Sequence, residues 1–276
     1  MTAKTAVQQG SDLLAGAGIS EPRLTAEVLL LHALHQERIY LFSHPEHELS
    51  TIEWIQYGRY LHERMQGKPT QYITRIQEFY GRPFRVSPAV LIPRPETEHT
   101  VEQALQVAPH ARTLLDIGTG SGALAVTLAL ELKARAIATD LSFEALQVAR
   151  GNAGELQARV DFVQCDLASA IQTRFDLIVS NPPYIPAAEI PGLQSEVRDF
   201  EPHLALLGGE AGTEIYHRIV PQAERLLKPG GWLIFEIGYQ GEAGVRGAFA
   251  NGPWRDVTLT CDLAGLPRVL RGRYAP

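Results

Sequence analysis

The sequence predicts an α/β protein in which a small all-helical domain precedes a doubly wound, mostly parallel sheet. From about residue 96 onward, short apolar runs alternate with helix-length segments. Residues 1–75 carry helical periodicity and no strong strand signal. Between them, residues 76–95 are rich in aromatic, Val and Pro residues, the composition of two short strands around a turn. The expected organisation is therefore a helical domain over 1–75, a β-hairpin connector over 76–95 and an α/β domain over 96–276.

In the helical region, Ser20 with Pro22 marks a helix start, and Leu24, Val28, Leu31 and Leu34 recur at helical spacing. Ser50-Thr51-Ile52-Glu53 reads as a capping box. Trp54, Tyr57, Leu61 and Met65 follow on one face, and Gly67-Lys68-Pro69 stops that helix. The hairpin falls in Phe79-Tyr80-Gly81-Arg82-Pro83-Phe84-Arg85-Val86. Thr113 to Ile117 is then a buried strand, followed by a Gly-rich turn and a helix from Ala123 to Leu132. A second strand, Ala136 to Ala138, ends at Asp140, and a helix runs from Phe143 to Asn152. Val160 to Gln164 is a third strand; Phe175 to Val179, almost wholly apolar, reads as a fourth, buried on both faces. Glu214 to Leu227 is a helix stopped by Lys228-Pro229-Gly230-Gly231, and Trp232 to Ile237 a fifth strand. Val257 to Thr260 and Val269 to Arg273 are weaker strand candidates.

The 276 residues include 25 Lys and Arg against 31 Asp and Glu, a net charge of −6. The isoelectric point near 5.9 argues against binding nucleic acid by bulk charge. The apolar run Val28 to Leu31 ends at His32, far short of the roughly 20 residues that span a bilayer. Met1 to Gln9 has no apolar signal core. Cys165 and Cys261 are too few for a disulfide framework or a four-sulfur zinc site. A cytoplasmic protein is expected. His32 and His35, and His44 and His47, lack a further ligand at zinc spacing, so no metal is expected. Between Arg64 and Arg94 six basic residues face one acid, Glu78. A solvated connector is the preferred reading there, and a docking surface for an acidic partner the alternative.

Chemistry is concentrated at the ends of the predicted strands. Asp116-Ile117-Gly118-Thr119-Gly120-Ser121-Gly122 sits between a strand and a helix, where glycines let a ligand approach the backbone. Its third glycine comes one residue too early for a dinucleotide fingerprint, which disfavours a dehydrogenase. Asp140, 18 residues beyond Gly122, is placed to accept ribose hydroxyls; the alternative is a helix cap, for which Ser142 competes. Asp166-Leu167 could offer an adenine one polar contact and one apolar wall. Asn181-Pro182-Pro183-Tyr184 ends the apolar fourth strand. There the Asn181 side chain and the Pro182 carbonyl present two acceptors to an –NH2 group, and Tyr184 gives a flat face to a planar one.

These four sites resemble those of S-adenosylmethionine-dependent methyltransferases acting on planar amino groups. The resemblance narrows to the bacterial peptide-chain release factor N5-glutamine methyltransferases, the PrmC/HemK family. It extends over nearly the whole chain through Pro69-Thr70-Gln71-Tyr72-Ile73, Phe79-Tyr80-Gly81, Val90-Leu91-Ile92-Pro93-Arg94-Pro95-Glu96-Thr97-Glu98, Glu201-Pro202-His203-Leu204-Ala205-Leu206, Glu236-Ile237-Gly238 and Gly265-Leu266-Pro267-Arg268. It implies a Rossmann-like methyltransferase sheet and methylation of the glutamine in the Gly-Gly-Gln motif of class 1 release factors. It implies S-adenosylmethionine held by Gly118, Thr119, Gly120, Ser121, Gly122, Asp140, Leu167 and Asn181. The substrate glutamine would lie on Asn181, Pro182, Pro183 and Tyr184, of which Asn181, Pro182 and Tyr184 are the expected catalytic residues. The sequence departs from the family where Leu167 replaces a frequent aromatic residue, and where Tyr239-Gln240-Gly241-Glu242 has one Gln. Ile92-Pro93-Arg94-Pro95 and Phe84 are expected over the pocket; Glu96 and Glu98 are expected as acids of a first helical turn, with cofactor-side contacts as the alternative. A nucleic-acid methyltransferase acting on adenine N6 or guanine N2 would use the same Asn-Pro-Pro-Tyr chemistry; a non-catalytic binding module would not need it.

Overall fold

The computed structural model describes all residues, 1–276. It divides into two units, residues 1–76 with 194–200, and residues 77–193 with 201–276.

The first unit contains α1 (Ala3–Gly16), α2 (Pro22–Leu34), α3 (Ile39–Ser43), α4 (Thr51–Met65) and α5 (Thr70–Thr74). The capping box opens α4: the Glu53 N–H donates to the Ser50 hydroxyl, and the Ser50 N–H to the Glu53 carboxylate. Pro22 stands at the first position of α2, but the residue before the helix is Glu21, in the left-handed region and without a side-chain cap. Because α2 packs on both α1 and α4, its buried set is Ala26, Leu29, Leu30, Leu31, Ala33 and Leu34, and Leu24 is left exposed. Trp54 is likewise partly exposed, whereas Tyr57 and Leu61 are buried. Tyr57 fills the centre of this unit, where a Cβ on Gly10 would stand 1.9 Å from its hydroxyl oxygen. Residues 194–200 join the unit through an ion pair between buried Arg64 and Glu196, at 2.7 Å, and through Phe200 against Gly67.

The second unit opens with the hairpin β1 (Ile76–Phe79) and β2 (Arg82–Arg85). Tyr80 and Gly81 have φ of 51° and 69°, both positive as a two-residue turn matched to strand twist requires. Phe79 and Phe84 meet edge to face and belong to the core of the α/β unit. The hairpin is thus part of that unit rather than a separate connector, and Phe84 is a core residue rather than a cover over the pocket. A turn of 3-10 helix, Pro95–Thr97, leads into α6 (Glu98–Val107). There follow β3 (Thr113–Ile117), α7 (Ala123–Glu131), β4 (Arg135–Asp140), α8 (Phe143–Glu155), β5 (Val160–Gln164), β6 (Phe175–Ser180) and β7 (Ile185–Pro186). Then come α9 (Ser195–Arg198), within the first unit, α10 (His203–Leu206), β8 (Leu207–Gly209), α11 (Glu214–Leu226) and β9 (Leu227–Glu236). The chain ends with α12 (Glu242–Ala248), β10 (Trp254–Cys261) and β11 (Pro267–Tyr274).

The main sheet has the order β10-β11-β9-β6-β3-β4-β5. β5, β4, β3, β6 and β9 are parallel; β11 and β10 close one edge antiparallel. Each face of the sheet carries its own apolar layer, one around Leu114, Val126 and Leu177 and the other around Leu115, Ile178 and Phe235. Lys228-Pro229-Gly230-Gly231 does not separate a helix from a strand. It is a bulge inside β9, whose pairing with β6 steps from Phe175↔Leu227 to Leu177↔Trp232. Gly231 permits the bulge, since a Cβ there would come within 3.0 Å of the Asp176 carbonyl. The bulge also places Lys228 on Asp176, at 2.8 Å.

The basic run resolves into internal pairs: Arg64 with Glu196, Lys68 with Glu63, Arg82 with Glu131, Arg85 with Glu155 and Arg94 with Glu201. Arg75 alone of the six forms none. Five of these cations are thus taken up by carboxylates of the chain itself.

Candidate active site

Sheet order reverses between the adjacent strands β3 and β6, and a crevice opens outside their carboxyl ends, where open α/β sheets bind ligands. The Ser180 hydroxyl, at the end of β6, donates to the Ile117 carbonyl of β3 at 2.6 Å and holds the two rims together. A cavity of about 410 Å³ lies there, lined by Gly118, Thr119, Gly120, Ser121, Asp140, Leu167, Asn181 and Pro183. Gly122, Pro182 and Tyr184 are not part of its lining. Gly122 instead faces α8, where its Cβ would meet that of Ala149 at 3.1 Å. Pro182 is buried, and the Tyr184 ring packs on the second apolar layer.

The glycine turn is held open by its neighbours. Gly118 and Gly120 have positive φ, and a Cβ on either would meet nothing within 4 Å. The Gly120 N–H donates to one carboxylate oxygen of Asp140 and the Ser142 N–H to the other, both at 2.9 Å. The α8 cap is the Ser142 hydroxyl, which accepts from the Ala145 N–H. Asp140 is therefore not the helix cap and faces the cavity. Leu167 holds a φ of 53°, costly for a branched side chain, and presents the apolar wall. Asp166 beside it is paired with Arg218.

Asp116, at the end of β3, also lines the cavity. One of its oxygens accepts from the Thr119 hydroxyl at 2.6 Å and the Ala125 N–H at 3.1 Å; the other is buried without a protein partner. Burial pushes its carboxyl up to about 7, against those two hydrogen bonds and with a further push from Asp140.

At Asn181-Pro182-Pro183-Tyr184 the Asn181 amide NH2 donates to the Thr97 hydroxyl at 3.3 Å. No backbone N–H of the chain pairs with the Pro182 carbonyl. Burial pushes the Tyr184 hydroxyl up to about 12, so the ring is a neutral face at physiological pH.

Two family models match the chain, one described as PrmC N-terminal domain over residues 5–74 and one as Methyltransferase small domain over residues 99–191. The "Release factor glutamine methyltransferase" of Koribacter versatilis is 48% identical over 278 residues, covering 99% of each chain. That of Geobacter sulfurreducens is 43% identical over 262 residues, 94% of this chain and 92% of its own. The chain belongs to the release factor glutamine methyltransferase family. The α/β architecture also matches a solved Pyrococcus furiosus methyltransferase, with a TM-score of 0.53 at 19% identity over 72% of this chain and 91% of that one.

This methyltransferase has a cavity whose residues fit S-adenosylmethionine. The open sides of Gly118 and Gly120 leave room against the backbone, and Leu141, Leu167 and Pro183 supply an apolar lining. The unpartnered Asp116 oxygen and the Asp140 carboxylate supply acceptors for a ligand that carries an ammonium group and two ribose hydroxyls. The lining also includes Ala89 to Leu91, Pro93, Thr97 and residues of the Pro202 to Leu207 segment. Of the segment expected over the pocket, Pro93 thus reaches it. Glu98 is an acid of the first turn of α6, as expected, and accepts from the Tyr80 N–H. Thr97 was legible only as one letter of a longer motif; its contact with Asn181 spans 84 residues, which no local pattern encodes.

Proposed function

We propose that this chain transfers a methyl group from S-adenosylmethionine to the side-chain amide nitrogen, N5, of the glutamine in the Gly-Gly-Gln motif of class 1 peptide-chain release factors. The observation that carries this reading is the Asn181 amide. Its NH2 is taken by Thr97, so its carbonyl oxygen remains as the acceptor offered to the cavity. The Pro182 carbonyl is the second acceptor, and both hydrogens of a substrate –NH2 are then held.

S-Adenosylmethionine supplies the methyl group already activated on a sulfonium. Gly118 to Ser121, Asp140 and Leu167 would hold it, with Asp116 beside them. The remaining difficulty is the acceptor, since an amide lone pair is delocalised into its carbonyl. Asn181 and Pro182 orient that nitrogen and place acceptors beside it as positive charge develops. Tyr184 supplies the flat apolar face. Proton loss after transfer requires no strong general base.

In this reading the helical unit holds the release factor, with Ile39, Phe42, Ile52 and Ile55 among its exposed apolar residues. No helix is long and apolar enough to cross a membrane, and we assign the protein to the cytoplasm, where Cys165 and Cys261 stay free. The net charge of −6 and the internal pairing of the basic run weigh against a nucleic-acid substrate. The decisive experiment incubates the protein with labelled S-adenosylmethionine and, separately, unmodified release factor, duplex DNA and ribosomal RNA. Label on the Gly-Gly-Gln glutamine, located by mass spectrometry, is expected; label on nucleic acid alone would overturn the substrate assignment.

A further inference from the structure

Leu167 presents the apolar wall of the cavity from a backbone conformation that glycine or asparagine would adopt at less cost. Neither would supply the wall, and a leucine keeps such a conformation only where its surroundings over-determine it. Upstream, the Cys165 N–H donates to the Asp140 carbonyl at 3.1 Å, and the Cys165 thiol donates to the Leu167 carbonyl at 3.3 Å. Downstream, the Ser169 N–H donates to the Asp166 carbonyl at 3.1 Å. A further bond comes from α11, where Oε1 of Gln222 accepts from the Ala168 N–H at 3.0 Å. That N–H belongs to the peptide unit joining Leu167 to Ala168, so holding it fixes the ψ of Leu167. Ala168 is 0% exposed, and water does not take the place of Gln222 there.

The Gln222 amide is itself oriented. Its NH2 donates to the Arg218 carbonyl, one turn earlier in α11, at 3.2 Å. An NH2 turned toward that carbonyl leaves Oε1 for the Ala168 N–H. Ile215, Arg218 and Gln222 are spaced three and four apart and share one face of α11. Ile215 and Arg218 line the cavity, whereas Gln222 does not and meets it only through the loop. Arg218 also pairs with Asp166 at 2.5 Å, but both side chains are about half exposed, so that pair constrains the loop weakly. The bond to Gln222 is the one made to a buried group.

We propose that Gln222 is a positioning residue for the cofactor: it holds the Leu167–Ala168 peptide, and with it the Leu167 side chain, in the orientation that walls the nucleoside part of the cavity. This rests on the reading of Leu167 as that wall. Without the Gln222 acceptor the buried Ala168 N–H has no partner, and the peptide turns to find one. Leu167 then relaxes out of the left-handed region and carries its side chain off the nucleoside. Gln222 touches neither the substrate amide nor the methyl group. The expected signature is therefore a raised KM for cofactor with kcat unchanged at saturation.

The test is calorimetric binding of S-adenosylhomocysteine and of adenosine to the full chain and to Gln222→Met, Gln222→Ala, Gln222→Glu, Leu167→Ala and the double variant Leu167→Ala with Gln222→Met. Thermal melts without ligand report folding, and methylation of unmodified release factor gives kcat and KM. Gln222→Met, which keeps length and loses the acceptor, is expected to bind both ligands about tenfold more weakly. Gln222→Glu, which keeps an acceptor oxygen, is expected to recover most of that loss. Leu167→Ala is expected to lose about tenfold as well, and the double variant no more than Leu167→Ala alone, because both act through one wall. Parental affinity in Gln222→Met or Gln222→Ala, with Leu167→Ala weakened, would overturn the role of Gln222; either variant suffices if the other fails to fold. Losses that multiply to about a hundredfold in the double variant would overturn it too, since Gln222 would then act elsewhere. Parental affinity in Leu167→Ala would instead remove the reading on which the proposal rests.

Discussion

A Cβ placed on Gly238 would stand 2.9 Å from Cδ2 of the Tyr184 ring. The aromatic face of Asn181-Pro182-Pro183-Tyr184 is thus set by glycines. Gly208 lies against the Pro183 carbonyl and the Tyr184 Cα, each 2.7 Å from where its Cβ would be, and Gly212 against the Tyr184 carbonyl. Gly238 does not have a positive φ, so replacing it tests the steric contact alone. Gly238→Ala is expected to tilt the ring and lower kcat about tenfold, for a strain of about 1–2 kcal/mol. Cofactor affinity, measured by calorimetry, is expected to stay at the parental value.

Removing the Asn181 side chain takes away one of the two acceptors and leaves Pro182 alone to orient the substrate. Asn181→Ala is expected to lose about 3 kcal/mol of transition-state stabilisation, roughly a hundredfold in kcat/KM. A methylation assay on unmodified release factor reads this directly; turnover at the parental rate would refute the assignment.

Asp140 has one task in the fold and another in binding. Its carboxylate accepts from the N–H groups of Gly120 and Ser142 while lining the cavity. Asp140→Ala frees the glycine turn and removes an acceptor for the cofactor. Cofactor affinity is expected to fall at least tenfold, about 1.4 kcal/mol or more. Because Ser142 still caps α8, the melting temperature is expected to fall by only a few degrees, about 1 kcal/mol of stability.

Asp176 joins β6, the start of β3 and the β9 bulge. Burial pushes its carboxyl up, but hydrogen bonds from Lys228, the Arg112 N–H, and the Thr113 hydroxyl and N–H outweigh that and hold it near 2. A carboxyl depressed in the folded state stabilises the fold above its unfolded value and loses that contribution as pH falls through the folded one. The contribution is about 2 kcal/mol at neutral pH and is lost between about pH 4 and pH 2. Denaturant titrations of the parent and Asp176→Asn should differ at pH 7 and converge toward pH 2.

Apolar runs ending at Asp116, Asp140 and Asn181 are strand ends whatever the tertiary context, which is why the sheet and its crevice could be read from the chain. The capping box at Ser50 and the turn at Tyr80-Gly81 are equally local, fixed by hydrogen bonds or dihedral angles within four residues. Lys228-Pro229-Gly230-Gly231 misleads because its residues are those of a loop; only the pairing with Phe175 and Leu177 turns them into a bulge. Thr97 escaped notice as a site residue for the opposite reason. It is ordinary where it stands, and its meaning comes from Asn181, which lies 84 residues beyond it.

Residues 194–200 have a consequence for how this protein can be dissected. They belong with the helices of residues 1–76, yet both flanking stretches belong with the sheet. The boundary is thus crossed three times by the polypeptide. Cutting after residue 76 would separate residues 194–200 from the helices they belong with. It would strip Glu196 of Arg64 and Phe200 of Gly67, a few residues upstream of the Pro202 and Leu204 that wall the cavity. Swapping the helical unit between homologues would mean exchanging both of its pieces, residues 1–76 and 194–200, together.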